Sequence, residues 1–328
     1  MEVKLPQFDS EKLEKIVDVL KSKNSFLITS HVNIDGDGVG SELALYLSLK
    51  KLKKKVEIVN QDKIPSILKF LPCSKIIKIF NGKDKFNGFE VGIVLDCGNL
   101  DRTGEVKKLI RNLPFLINID HHLTNYAFGN INWINPSFSS TGEMVYFICE
   151  KLIKIDKKQA ICLYTSILYD TCCFVHGLSR YTMDIVKQLV NKKINPEKIA
   201  QKLFFEKSIK SINLFKLALE TLKIDKSKRI CFMKIKKNDF RKTRTTEENT
   251  EGFVEFLISI KGIQVGVLFK ERGNGVKVSM RSKGIIDVEN IAKKFGGGGH
   301  REAAGCFFEN KSIDEVEIII KRELGWME

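Results

Sequence analysis

The sequence has no run approaching the 18 or so continuous apolar residues that cross a membrane as a helix, so a membrane span is not expected. Its first thirty residues alternate charged with apolar positions and contain no apolar stretch of the signal-peptide kind. A cytoplasmic protein is expected, neither secreted nor membrane-embedded. There is also no C-x-x-C pair among the eight cysteines, Cys73, Cys97, Cys149, Cys162, Cys172, Cys173, Cys231 and Cys306. A chain of 328 residues has enough core to fold without disulfide staples, so these read as reduced thiols that behave as small hydrophobes. The neighbours Cys172 and Cys173 are expected to be buried packing. Internal repeats and low-complexity segments are absent too, which excludes solenoids and linker-like tracts.

What is present is an ordinary globular composition, 43% apolar and 29% charged, in a chain long enough for two domains. Lysine and arginine number 55 against 40 aspartate and glutamate, a formal charge of +15 that favours anionic partners such as nucleotides or nucleic acid. The excess reads equally as lysine on solvated faces, as in the run from Lys50 to Lys55 at an expected helix end.

The first half alternates short apolar runs with helical patterns. Strands are expected over 25–30, 56–59, 91–96 and 115–120, with a helix over 38–52, and such alternation argues for a largely parallel sheet with crossover helices. Residues 140 to 222 carry a helical period, with starts at Thr141 and Pro196. From Arg229 strands return (RICFMKI, IQVGVLF, GVKVSM, AAGCFF), interleaved with helices near 251–260, 288–295 and 313–322. The expected fold is α/β: a catalytic domain over 1–190, a helical linker over 191–228, and a smaller domain with a mixed sheet over 229–328.

Chemistry-bearing residues gather where three strands end. His31, Asp35 and Asp37 follow the first strand, Asp96 ends VGIVLD, and Asp120 ends FLINID directly before His121 and His122. In open α/β sheets ligands collect beyond the carboxyl ends of strands, so one sheet edge would receive all of these groups. Each has a plain reading as well: Asp35-Gly36-Asp37-Gly38 makes a turn and helix cap, and a strand-end aspartate commonly caps the next helix. Their convergence favours a site. Imidazole with carboxylate and no thiolate suits a catalytic transition-metal ion better than structural zinc. A calcium loop is excluded, because its third acidic position falls on Val39 and no glutamate follows at the required distance.

The stretches HVNIDGDGVGS, VLDCGNLDRTG, NIDHHLTN and LYTSILYDT resemble, in order and spacing, the four motifs of the DHH phosphoesterase superfamily. GGGGHREAAG, Gly296 to Gly305, is similar to the signature of the associated C-terminal domain in the exonuclease and nanoRNase members. The resemblance implies one divalent metal held by His31, Asp35 and Asp96, and a second held by Asp37, Asp96, His121 and Asp170, with Asp96 bridging and Mn²⁺ the favoured ion. It implies that Asp120 orients an imidazole and that His122 touches the scissile phosphate or its leaving oxygen. Contacts to substrate fall to Arg281 and His300 by the family pattern, with Gly297, Gly298 and Gly299 admitting close backbone approach and Arg301 and Arg102 as further candidates.

The activity so implied is hydrolysis of short oligoribonucleotides to mononucleotides by a hydroxide that two metals activate, together with conversion of 3'-phosphoadenosine 5'-phosphate to AMP. Cyclic di-AMP or the linear dinucleotide pApA is the alternative substrate; a non-catalytic nucleotide- or nucleic-acid-binding protein is the alternative of another class. Short RNA or small nucleotides are the expected partners, a homodimer is compatible with the sequence, and no membrane is involved. One departure stands out: after Asp170 the family has D-T-G, whereas here Cys172 replaces the glycine and the following turn differs, with His176 read as a loop or core residue.

Overall fold

The computed structural model describes residues 5–82, 86–225, 227 and 229–325. They form two units, one ending at Phe205 and the other starting at Glu206. The segment expected as a linker is shared between them. Ile194, Ile199 and Leu203 lie in the core of the first unit, while Leu214 and Ala218 lie in that of the second. Lys228, the expected end of that linker, lies outside the described residues.

In the first unit helix α1 (Gln7–Ser22) precedes strand β1 (Ser25–Thr29), helix α2 (Gly36–Lys51) and strand β2 (Lys55–Asn60). Then come β3 (Lys78–Ile79), β4 (Val91–Leu95), the short helix α3 (Lys107–Ile110), β5 (Phe115–Asp120) and β6 (Ile131–Ile134). Helices α4 (Thr141–Leu152), α5 (Lys157–Asp170), α6 (Thr182–Val190) and α7 (Pro196–Ala200) complete it. The strands make one sheet in the order β3-β2-β1-β4-β5-β6, every pair parallel.

SFLIT and VGIVL are buried at every position, as a parallel sheet covered on both faces requires. Alternate residues serve opposite faces: Phe26 and Ile28 pack with Leu43, Ile148 and Leu163, whereas Leu27 packs with Val94, Val106 and Ile110. The order reverses between β1 and β4, so their crossovers depart in opposite directions and leave a crevice at the carboxyl ends of those two strands.

Helix α2 lies close against α5 because two glycines make room. A Cβ on Gly36 would meet the Tyr169 ring at 2.4 Å, and one on Gly40 would meet the Cys162 carbonyl oxygen at 2.5 Å. This contact brings the first turn of α2 beside Ser166 and Asp170 of α5.

The second unit holds α8 (Ile209–Leu219), β7 (Lys223–Asp225), β8 (Ile230–Ile235), α9 (Lys237–Thr243), α10 (Phe253–Ser259), β9 (Val265–Arg272), β10 (Gly275–Ser282), α11 (Val288–Lys294), β11 (Gly298–His300), β12 (Ala303–Glu309) and α12 (Ile313–Glu323). Its sheet is mixed, in the order β11-β12-β10-β9-β8-β7, with only β8 and β9 parallel. Val278, Phe269 and Phe232 pack with α11 and α12, while Met233, Leu268 and Cys231 pack with α8 and α10.

Several elements were not anticipated. Helix α1 buries Leu13, Ile16, Val17 and Leu20 at helical spacing. Strands β3, β6, β7 and β11 are two to four residues long, too short to show a period. Cys172 and Cys173 are half-buried and not fully buried as expected, in a turn where Cys172, Cys173 and Phe174 take φ of 49°, 58° and 65°. Three successive left-handed residues keep this turn only partly buried, with Cys173 and Phe174 still packed against the core of the first unit.

Candidate metal centre

Residues that follow β1 turn across the crevice. Ser30 N–H donates to Asn60 Oδ1 at 3.2 Å, which ties the strand end to β2. His31 is buried; its Nδ1 donates to the Val32 carbonyl at 2.8 Å, and its Nε2 lies 3.4 Å from Asp96 Oδ2. Asp35 caps α2, its Oδ1 accepting from the N–H groups of Asp37 and Gly38 at 3.0 and 3.2 Å.

Asp37, in the first turn of α2, is buried and gripped by two other helices. Oδ2 accepts from Thr141 N–H at 2.8 Å, and Oδ1 from Gly142 N–H at 3.0 Å, both at the N-terminus of α4 where free amides favour an anion. The hydroxyls of Ser41 and Ser166 donate to Oδ1 as well. These donors went unrecognised in the sequence, where Thr141 showed only as a helix start. The cap of α4 is Ser140, whose side chain accepts from Glu143 N–H.

Asp96 follows β4 with a left-handed φ of 53°, its own N–H donating to the Ile119 carbonyl at 3.0 Å. That backbone is sparsely populated by non-glycine residues and clusters at functional sites. It turns the carboxylate into the crevice, with Oδ1 3.8 Å from His121 Nε2 and 3.6 Å from His122 Nδ1.

At the end of β5, Asp120 is fully buried. Its Oδ1 accepts from His122 Nδ1 at 2.7 Å and its Oδ2 from Asn125 Nδ2 at 2.6 Å. His121 Nδ1 donates to the Phe138 carbonyl at 3.3 Å, so Nε2 faces Asp170 at 3.4 Å, Asp37 at 3.7 Å and Asp96 at 3.8 Å. Asp170 is the last residue of α5. Within the first unit three sets of donor atoms each lie within 4.8 Å of one another: His31, Asp35 and Asp96; Asp37, Asp96 and His121; Asp96, Asp120 and His122. Asp96 belongs to all three.

Burial, reinforced by the Asp96 charge, pushes the carboxyls of Asp35 and Asp37 above the usual carboxylate range, that of Asp37 well above. Burial likewise raises Asp170 to about 6, against the opposing pull of His121. Asp96 is held low: burial acts to raise it, but the hydrogen bond and charge of His31, with the imidazoles of His122 and His121, outweigh that. Burial would lower His31 and His121, yet their carboxylate neighbours push both up to about 9. The cluster is therefore short of positive charge, and buried carboxylates in such number need cations. The donor set of hard oxygens and imidazole nitrogens fits divalent transition-metal ions, and the His121 Nε2 proton is the one such an ion would replace.

The other expected residues lie elsewhere. Arg102 is exposed in the helical turn Leu100–Val106, and its carbonyl accepts from Val32 N–H at 2.6 Å, so it stands beside His31. In the second unit Ala303 of β12 pairs with Arg281 of β10 on one side and with His300 of β11 on the other. Arg281 and His300 are thus in one row, two strand spacings or about 10 Å apart. Glu255 holds the Arg281 guanidinium at 2.8 and 2.9 Å. The glycine run forms an edge strand in place of an open loop. A Cβ at Gly297 would come within 2.2 Å of the Gly305 carbonyl oxygen, while Gly298 faces open space. Gly299 has φ of 144°, and a Cβ there would meet the Ala303 carbonyl oxygen at 2.3 Å. Arg301 is exposed and donates to the Gly284 carbonyl at 3.3 Å. Among the described residues no helix is long and apolar enough to cross a membrane.

Comparison with known proteins agrees with this division. The sequence profile described as "DHH family, N-terminal domain" matches residues 25–167, and the "DHHA1 domain" profile matches residues 227–325. The chain is 29% identical over 312 residues, 93% of its length and 91% of the relative's, to the bifunctional oligoribonuclease and PAP phosphatase NrnA of Thermus thermophilus. It is 25% identical over 311 residues to the protein of the same description from Bacillus subtilis, covering 93% of this chain and 96% of that one. Among solved structures, an exopolyphosphatase-related protein from Bacteroides fragilis superposes with a TM-score of 0.89 at 28% identity, covering 96% of each chain. RecJ of Thermus thermophilus in complex with Mn²⁺ shares the fold, with a TM-score of 0.58 at 12% identity over 97% of this chain and 55% of that one.

Proposed function

This chain is built from a DHH family N-terminal domain followed by a DHHA1 domain, and on that premise we propose that it is a phosphoesterase of short oligoribonucleotides, which it cuts to mononucleotides. Conversion of 3'-phosphoadenosine 5'-phosphate to AMP belongs to the same reading, as does a cytoplasmic setting. The names of the NrnA relatives and their coverage support it. The observation that carries it is the placement of Asp96, shared by three donor sets at the crevice where strand order reverses.

His31, Asp35 and Asp96 would hold one divalent ion, and Asp37, Asp96, His121 and Asp170 a second, with Mn²⁺ the ion proposed. Such a pair supplies charge to the phosphoryl oxygens and makes water acidic enough to react near neutral pH. The chain's own groups do the rest. Thr141, Gly142 and Ser166 fix Asp37 so that its carboxylate does not reorganise during turnover. Asp120 keeps a proton on His122 Nδ1 and sets the ring's direction, leaving Nε2 for the leaving oxygen. Arg102 stands beside His31 as a phosphate contact, and the Arg281 and His300 row of the second unit grips the terminal phosphate and nucleotide, with Gly297, Gly298, Gly299 and Arg301 beside it.

The test is a rate comparison. The full chain with Mn²⁺ is given pApA, oligoribonucleotides of increasing length, cyclic di-AMP and 3'-phosphoadenosine 5'-phosphate. Fastest turnover of the short linear oligomers supports the reading; cyclic di-AMP as the preferred substrate would replace it, and metal-independent binding without turnover would remove it.

A further inference from the structure

After His122 the chain makes a tight loop whose backbone is pinned from several sides. Asn125 Nδ2 donates to Asp120 Oδ2 at 2.6 Å and to Asn118 Oδ1 at 2.7 Å. Its Oδ1 accepts from Ala127 N–H at 2.7 Å, and its own N–H donates to the His122 carbonyl at 3.3 Å. Tyr126 N–H donates to the Gly98 carbonyl at 2.9 Å, two residues beyond Asp96. The same Asp120 carboxylate therefore orients His122 and anchors this loop.

On so firmly held a backbone, side chains would be expected to pack inward. Tyr126 instead is 76% exposed, and Leu123, three positions earlier, is 80% exposed. Among the described residues the Tyr126 ring contacts no other aromatic ring. It stands on the loop that starts after His122, with the Tyr126 N–H bonded to Gly98 in the segment that runs from Asp96 to Arg102. A rigid aromatic group with few rotamers loses little entropy when it binds a flat partner, and an aromatic face stacks on any nucleobase.

We propose that Tyr126 is a stacking platform for a nucleobase of the substrate, adjacent to the bond being cut. This rests on the phosphoesterase reading and deepens it. Stacking accepts every base, so Tyr126 would grip nucleotides without selecting sequence, and the loop would set the base in register with the phosphate at the centre.

The experiment measures kcat and KM of the full chain with Mn²⁺ on pApA and on an analogue in which one adenine is replaced by hydrogen. For Tyr126→Ala, the ratio of kcat/KM between pApA and the abasic analogue should fall roughly 5- to 150-fold, the loss per unstacked base, and it should fall through KM. Tyr126→Trp should keep the ratio. If Tyr126→Ala folds, binds metal as the unchanged chain does and keeps the ratio within twofold, the platform is refuted. Should the unchanged chain hydrolyse neither substrate, the function itself is refuted and this inference with it, an outcome separate from unaltered discrimination.

Discussion

Asp120 Oδ1 and His122 Nδ1 are 2.7 Å apart, and the carboxylate that makes this contact is fully buried. A charged acceptor at that distance fixes both the ring orientation and which nitrogen bears the proton. Replacing Asp120 by Asn keeps the shape and removes the charge. We predict a loss of about 10- to 100-fold in kcat, by analogy with partners that orient metal-ligating imidazoles, with metal content per chain unchanged by elemental analysis. Unaltered kcat would show that His122 needs no such support.

Removal of the Asp96 carboxylate should do more. Because each of the first unit's three donor sets includes it, Asp96→Ala should lower metal stoichiometry and abolish turnover of every substrate. Activity that survives in metal-replete buffer would refute its bridging role.

Arg281 and His300 are predicted to act on recognition alone. Arg281→Ala or His300→Ala should raise KM for nucleotide substrates about tenfold, the effect of one lost charge-assisted hydrogen bond. Metal content should stay as in the unchanged chain. An equal loss of metal would contradict the assignment of the two units.

Glu42 gives a stability test. It is fully buried on α2, accepts from Asn60 Nδ2 at 2.9 Å, and burial pushes its carboxyl up to about 8 despite that hydrogen bond. The folded chain thus binds this proton more tightly than the unfolded one. Its contribution is full below about pH 4.5 and is lost as pH rises through about 8, with a slope of up to about 1.4 kcal/mol per pH unit. Glu42→Gln should flatten the fall of Tm between pH 5 and 8, measured in chelator so that metal binding does not vary. Parallel curves for the two chains would mean that Glu42 is ionised in the fold.

How far the sequence discloses this arrangement varies with the kind of signal. His31, Asp96 and Asp120 were legible because apolar runs end just before or at them, and a parallel strand exports its last residues to one sheet edge. Asp170 ends a helix, where no period marks it; only the resemblance of LYTSILYDT pointed there. Ser166 and Gly142, which hold Asp37, are separated from it by 129 and 105 positions, so no local pattern could reveal them. Cys172 and Cys173 are less buried than expected because composition says nothing of a left-handed turn. The glycine run carries no strand period of its own, since the pairing that makes it a strand comes from β12.

Asp96 has a φ of 53°, a conformation that asparagine tolerates about as well as aspartate and that bulkier residues resist. Backbone demand and chemical demand thus fall on one position and nearly coincide in their accepted residues. A change to asparagine would satisfy the first and fail the second. A single substitution could therefore leave this hydrolase well folded and inert, a short evolutionary step from catalyst to silent homologue.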